Sequence, residues 1–319
     1  VTGVQTCALP ILSPLLLLHV VGPLDDGVEL EVFLRERRPR DFAQIDVFTG
    51  TGLLGNPVAV VLDSEGLDTA TMQRFTDWTN LSEATFVGPP TDPSADYSVR
   101  IFCPGRELPF AGHPTLGTCH AWLEAGGRPK GRHIVQECGV GLVAIRHDAS
   151  TDTLAFAAPP RRRSGPLTDA ELATIVQGLR LPPEAVVDHS WCDNGPGWQA
   201  LLLDSAERVL AVVPDYQALA GLEVGIVGPY APGSGTADVE VRAFFPGNSG
   251  LTEDPVTGSL NAALAQWLIA AGYAPTAYTA AQGTAMGRAG RVHLEQDDAG
   301  VWVGGQCVTV VSGTVRLPS

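Results

Sequence analysis

The chain contains itself twice. Residues 98–105, SVRIFCPG, return at 240–247 as EVRAFFPG, which places Arg100 and Arg242 142 positions apart. VVLDS at 60–64 returns as LLLDS at 201–205, offset 141, and FVG at 86–88 returns as IVG at 226–228, offset 140. The fourth match is sparser: His113, Pro114, Gly117 and Thr118 correspond to Asp254, Pro255, Gly258 and Ser259 at an offset of 141. Separated matches at nearly one offset mark a repeated structural unit rather than chance similarity. The chain is therefore expected to fold as two pseudo-symmetric lobes of mixed α/β (α+β) type, over residues 41–160 and 167–319. The Pro- and Arg-rich stretch APPRRRSGP, 158–166, forms the boundary.

Within each lobe the hydrophobic pattern sets the elements. Residues 58–63, 84–87 and 99–102 are short β-rich runs, and strands follow Gly131, whereas Asp68 to Asn80 has helical spacing. Thr115–Leu123 and Leu260–Ile269 read as helices, each closed by glycine. With few polar positions between Leu260 and Ile269, the second helix is expected at the buried centre of its lobe. Asp254-Pro255 looks like a helix start, since Asp is a strong N-cap and Pro suits the first helical position; His113-Pro114 is read in the same way. Taken alone, Asp254 would be only a cap and His113 only a loop residue. The duplication lets both loops face one cleft, where two converging helix starts offer free N–H groups and positive dipole ends to a carboxylate. Gly258, Thr118 and Ser259 are small enough to let a ligand approach the backbone. A proton carrier could be Glu83, in NLSEATFV, or its repeat mate Glu223, in AGLEVGIVG; repetition alone does not choose, and an ordinary surface carboxylate is the alternative for each.

Composition excludes more than it assigns. A net charge of −15 without a basic stripe argues against nucleic acid or an anionic membrane as partner. Cys103, Cys119, Cys138, Cys192 and Cys307 show neither zinc-ligand spacing nor a disulfide framework, so no metal is expected and a reduced, cytoplasmic protein fits best. Residues 1–11, VTGVQTCALPI, back-translate to something resembling a sequencing adapter, and no methionine precedes Met72. Residues 1–40 are accordingly read as an artefactual or non-native extension. The run PLLLLHVV lacks the flanks of a signal peptide and is shorter than the roughly 20 residues of a membrane span.

Four segments in order, DVFTGTGLLGNPVAVVL, NLSEATFV, VRIFCPGRELPFAGHPTLGT and EDPVTGSLNAALAQWL, resemble the PhzF-like phenazine-biosynthesis family of the diaminopimelate epimerase fold, from about Phe42 to about Gly313. Together they are specific, whereas GNP alone would be weak. The resemblance implies two lobes, each a β-sheet or barrel wrapped around a central helix, a site between them, and assembly as homodimers. It selects Glu83 over Glu223 as general acid/base. It also implies that His113 and Asp254 orient the substrate, and that Ser259 with the amides of Gly112 and Gly258 holds its carboxylate. No cofactor is implied, and the expected partner is a small carboxylate-bearing metabolite. The parent reaction isomerises a dihydro-hydroxyanthranilate. Two departures qualify the likeness. The paired cysteines that epimerases of this fold carry at the helix starts are missing, which disfavours amino-acid racemisation, and Ala84 stands where a hydroxyl commonly follows the glutamate. A non-catalytic metabolite-binding protein is the further alternative.

Overall fold

In a computed structural model, residues 38–235, 237–247 and 250–318 are described. The extension inferred at 1–40 lies outside them except for its last three residues.

The first half runs β1 (Arg40–Val47), β2 (Asn56–Val61), helix α1 (Thr69–Thr79), β3 (Ala84–Gly88), β4 (Tyr97–Cys103), β5 (Arg106–Leu108), helix α2 (Gly112–Glu124), β6 (Ile134–Cys138), β7 (Gly141–Asp148) and β8 (Thr153–Ala157). The second half begins with helix α3 (Asp169–Gly178), β9 (Val186–Trp191), β10 (Gln199–Leu203), helix α4 (Ala206–Ala211), β11 (Val224–Pro229) and β12 (Val239–Gly247). It continues through β13 (Gly250–Asp254), helix α5 (Gly258–Ala270), β14 (Ala277–Gln282), β15 (Gly290–Asp297) and the long β16 (Gly300–Val315).

Strand pairing follows the same scheme in both halves. In the first, β2 and β3 are parallel with Ala59 beside Ala84, β3 and β4 antiparallel, and β4 and β6 parallel. In the second, β10 and β11 are parallel with Gln199 beside Val224, β11 and β12 antiparallel, and β12 and β14 parallel. The order β1-β2-β3-β4-β6-β7-β8-β16 closes on itself because β1 also pairs with β16. Its other edge continues from β16 through β15, β14, β12, β11 and β10 to β9. The C-terminal strand thus completes the barrel of the first half, and the two halves share one continuous sheet.

Wrapping a sheet around a helix leaves that helix without a solvent face, whether the sheet closes, as around α2, or stays open, as around α5. In α2 the run from Gly112 to Cys119 is buried, and in α5 nearly every residue from Leu260 to Leu268 is buried. Such all-round burial is what an apolar helix without a polar stripe requires. Gly117 lets α2 lie against the barrel wall, since a Cβ there would run into Val58 Cγ1. The surface helix α1 is held by its ends instead: the Asp68 side chain accepts from Thr71 N, and Asn80 closes the helix at φ 57°.

The helix starts differ from the sequence expectation. Asp254 is not a cap and Pro255 is not the first helical residue, because Asp254 remains extended as the last residue of β13, paired with Ala243 of β12. Helix α5 starts four residues later than Asp254, at Gly258, after Thr257. In α2 the first helical residue is Gly112, with His113 second and Pro114 third, and Ala111 offers no side-chain cap. Cross-strand pairing outweighs the local Asp-Pro signal.

Candidate active site

The two central helices meet at their N-terminal ends. A Cβ added to Gly258 would lie 3.2 Å from the Gly112 Cα, and one added to Gly112 would lie 2.7 Å from the Phe156 ring. Only glycine permits this approach, and it brings the free amides and positive dipole ends of both helices to one place. Of the residues expected to bind substrate, Gly112 and Gly258 are therefore adjacent. Ser259 follows on the first turn of α5, where its Oγ accepts a hydrogen bond from Trp198 Nε1 at 3.0 Å and its carbonyl accepts one from Asn194 Nδ2 at 2.8 Å.

Asp254 reaches the same place from β13, within a network drawn from both halves. Asn56, at the start of β2, donates from Nδ2 to Asp254 Oδ1 at 2.9 Å and to the Val256 carbonyl at 2.9 Å. The Thr257 hydroxyl donates to Asp254 Oδ2 at 2.6 Å. Gln282, the last residue of β14, supports the turn by donating to the Asp254 carbonyl and the Thr257 hydroxyl and accepting from Thr257 N at 3.0 Å. Burial pushes the Asp254 carboxyl up to about 6, against the hydrogen bonds from Thr257 and Asn56 that hold it down.

Glu83 is the last residue of the four-residue link between α1 and β3, its backbone fixed by the Ala59 amide donating to its carbonyl. Its carboxyl is largely buried, and Oε2 lies 3.4 Å from Nε2 of the buried His113. Neither of these two facing atoms has a hydrogen-bond partner. Burial first, and the negative charge of Asp254 second, raise the Glu83 carboxyl to about 8. Burial lowers the His113 imidazole to about 3, opposed by a hydrogen bond to the Pro57 backbone. At neutral pH the arrangement holds a neutral imidazole facing a carboxyl that can keep or release its proton.

Glu83, His113 and Asp254 are thus brought together, whereas Glu223 lies apart with its carboxylate already engaged by the Gly197 amide. Ala84 faces away from the site, into the cluster of Met72, Phe75 and Phe86. Cys103 lies close enough to feel the charge of Glu83, but burial raises its thiol, the opposite of what a thiolate base needs. Among the described residues no cluster of three or more His, Cys, Asp or Glu is placed to hold a metal. No described helix is long and apolar enough to cross a membrane. An open cavity of about 250 Å³ lies elsewhere, against Leu123, His120 and His147, and includes none of the three candidate residues. Asn56, Thr257, Gln282, Asn194 and Trp198 were not singled out from the sequence. Asn56 and Thr257 do lie inside the GNP and DPVTGS segments, while Gln282 carries no local signal at all.

The pattern that defines phenazine biosynthesis-like proteins matches residues 45–313. The chain is 36% identical over 292 residues to antisense-enhancing sequence 1 of Schizosaccharomyces pombe, covering 85% of this chain and 97% of that protein. It is 34% identical over 230 residues to a trans-2,3-dihydro-3-hydroxyanthranilate isomerase of Pseudomonas fluorescens, covering 70% of this chain and 78% of that enzyme. A crystal structure of a phenazine biosynthesis protein from Enterococcus faecalis superposes with a TM-score of 0.72 at 23% identity, over 87% of this chain and 99% of the other, and shares the fold.

Proposed function

We propose, from the premise that this chain belongs to the phenazine biosynthesis-like protein family and is an isomerase, that Glu83 is the general acid/base that moves a proton within a small carboxylate-bearing substrate. The observation that carries the reading is the pair of buried, unpartnered atoms, Glu83 Oε2 and His113 Nε2, held 3.4 Å apart beside the meeting point of two helix starts. An ionised Glu83 takes a proton from one carbon and returns it to another, so the reaction consumes no redox equivalent and calls on no cofactor. His113 and Asp254 orient the polar groups of the substrate. The amides at Gly112 and Gly258, with the Ser259 hydroxyl, receive its carboxylate where both helix dipoles favour negative charge.

The relative from Pseudomonas fluorescens supplies the substrate to try, trans-2,3-dihydro-3-hydroxyanthranilate, and related cyclic amino acids extend the set. Incubation in deuterium oxide reads the chemistry directly. Wild type should place solvent deuterium on a substrate carbon, and Glu83→Gln should not. Equal incorporation by both proteins rejects the role of Glu83.

A further inference from the structure

Asn56 belongs to the GNP segment, which the proposed chemistry leaves without a task, yet its side chain is fully buried and spans the cleft from the first half to the second. Its amide has two protons. One goes to Asp254 Oδ1 and the other to the Val256 carbonyl, each at 2.9 Å. The amide cannot be turned round, because its oxygen would then face two acceptors. His113 Nδ1 also lies beside Asn56 Nδ2, at 3.4 Å, so the same amide borders the histidine as well as Asp254. His113 Nε2, without a hydrogen-bond partner, faces Glu83 Oε2.

We propose that Asn56 is a positioning residue that reaches across the cleft to hold Asp254 as the anion of the site, leaving the exchangeable proton on Glu83, opposite His113. This rests on the reading of Glu83 as proton carrier and adds what decides its charge. Two carboxyls buried near each other cannot both ionise freely, so whichever receives more donors ionises first. Asp254 receives two, from Asn56 and Thr257, and Glu83 receives none at Oε2. The remaining groups around the pair do not reverse this order. Glu253, on the same strand as Asp254, is neutralised by Arg242; Gln282 is uncharged; and Cys103, beside Glu83, has its thiol raised by burial.

Carbon-13 NMR of protein labelled at the Asp and Glu carboxyl carbons, assigned with Asp254→Asn and Glu83→Gln, reads the order without any substrate. In wild type Asp254 should ionise before Glu83. In Asn56→Ala its midpoint should rise by about one pH unit and the gap to Glu83 should narrow, with Asn56→Ser, which keeps one donor, in between. An Asp254 midpoint unmoved in Asn56→Ala overturns the proposal, and so does Glu83 ionising first in wild type. The order of ionisation in wild type needs no Asn56 variant, so it remains a test even where Asn56→Ala is unstable. Since these readouts use no turnover, loss of the role of Glu83 in deuterium exchange would leave them standing, and the two failures stay distinct.

Discussion

Arg100 and Arg242 stand at matching places in the two halves, and their surroundings separate them. Each guanidinium lies over the phenylalanine two residues on, Arg100 at 5.1 Å from the centre of the Phe102 ring and Arg242 at 5.0 Å from that of Phe244. Each makes a two-pronged bond to a glutamate on the adjoining short strand, Glu107 or Glu253. The first pair is 38% and 40% exposed, however, and the second only 6% and 10%. Arg242 also donates to the carbonyls of Val209 and Val212. A device that is a surface ornament in one half therefore anchors β13, and with it Asp254, in the other. The glutamates Glu83 and Glu223 diverge likewise. Gln199 N donates to the Glu223 carbonyl at 2.8 Å as Ala59 N does to that of Glu83, so the backbones correspond. The side chains do not: Glu223 receives the Gly197 amide and the field of Arg106, and Glu83 faces the unpartnered Nε2 of His113. The two halves share a strand scheme and differ in the partners of their side chains.

The sharpest way to break this comparison is to neutralise both glutamates. Glu83→Gln should lower kcat for proton exchange by about 10² to 10⁴, the usual worth of a general acid/base, whereas Glu223→Gln should stay within about twofold. Equal losses would erase the distinction. Next in size is stability. Arg242→Leu strands a buried carboxylate and should cost about 3 to 5 kcal/mol in urea unfolding, against no more than about 1 kcal/mol for Arg100→Leu.

The pH dependence gives a smaller, graded effect. If ionised Glu83 takes the first proton, kcat/KM should rise with pH toward a midpoint near 8, and Glu83→Gln should flatten whatever activity is left. Stability runs the other way. A carboxyl raised in the folded state contributes stability that is present below its unfolded value near 4.5 and is lost as pH climbs through about 8. Melting temperature should therefore fall across that window in wild type and fall less in Glu83→Gln, with Asp254 adding a loss of the same sign between 3.8 and about 6. His113 acts at the acid end: its depressed value contributes stability above 6.5 that is lost as pH falls toward 3. Smallest of all, Ala84→Ser should leave proton exchange within about twofold, because that side chain faces the apolar cluster on the far side of β3 from the site; its measurable effect should be a loss of stability of about 1 to 3 kcal/mol for the buried hydroxyl.

Much of this was legible in the chain. Thr115–Leu123 and Leu260–Ile269 are helical because their apolar residues admit no polar face, and both helices extend a residue or more beyond those windows. Asp68 caps its helix as its type suggests. Asp254 misled because Asp-Pro is a local signal and the pairing of β13 with β12 is not. Gln282 and Trp198 were out of reach for the same reason: nothing within several residues of either records that it will lie against Thr257 or Ser259. Asn56 was readable as part of GNP, but its role depends on a partner 198 positions away.

The sharing of β16 between the halves bears on how the molecule is made. Strands β1 to β8 leave the ribosome early, yet the wall that encloses His113 lacks a stave until residues near Val315 emerge. The first-synthesised barrel must therefore wait for the last-synthesised strand, and a chain cut short near its end would lose the enclosure of His113, in the half farthest from the cut.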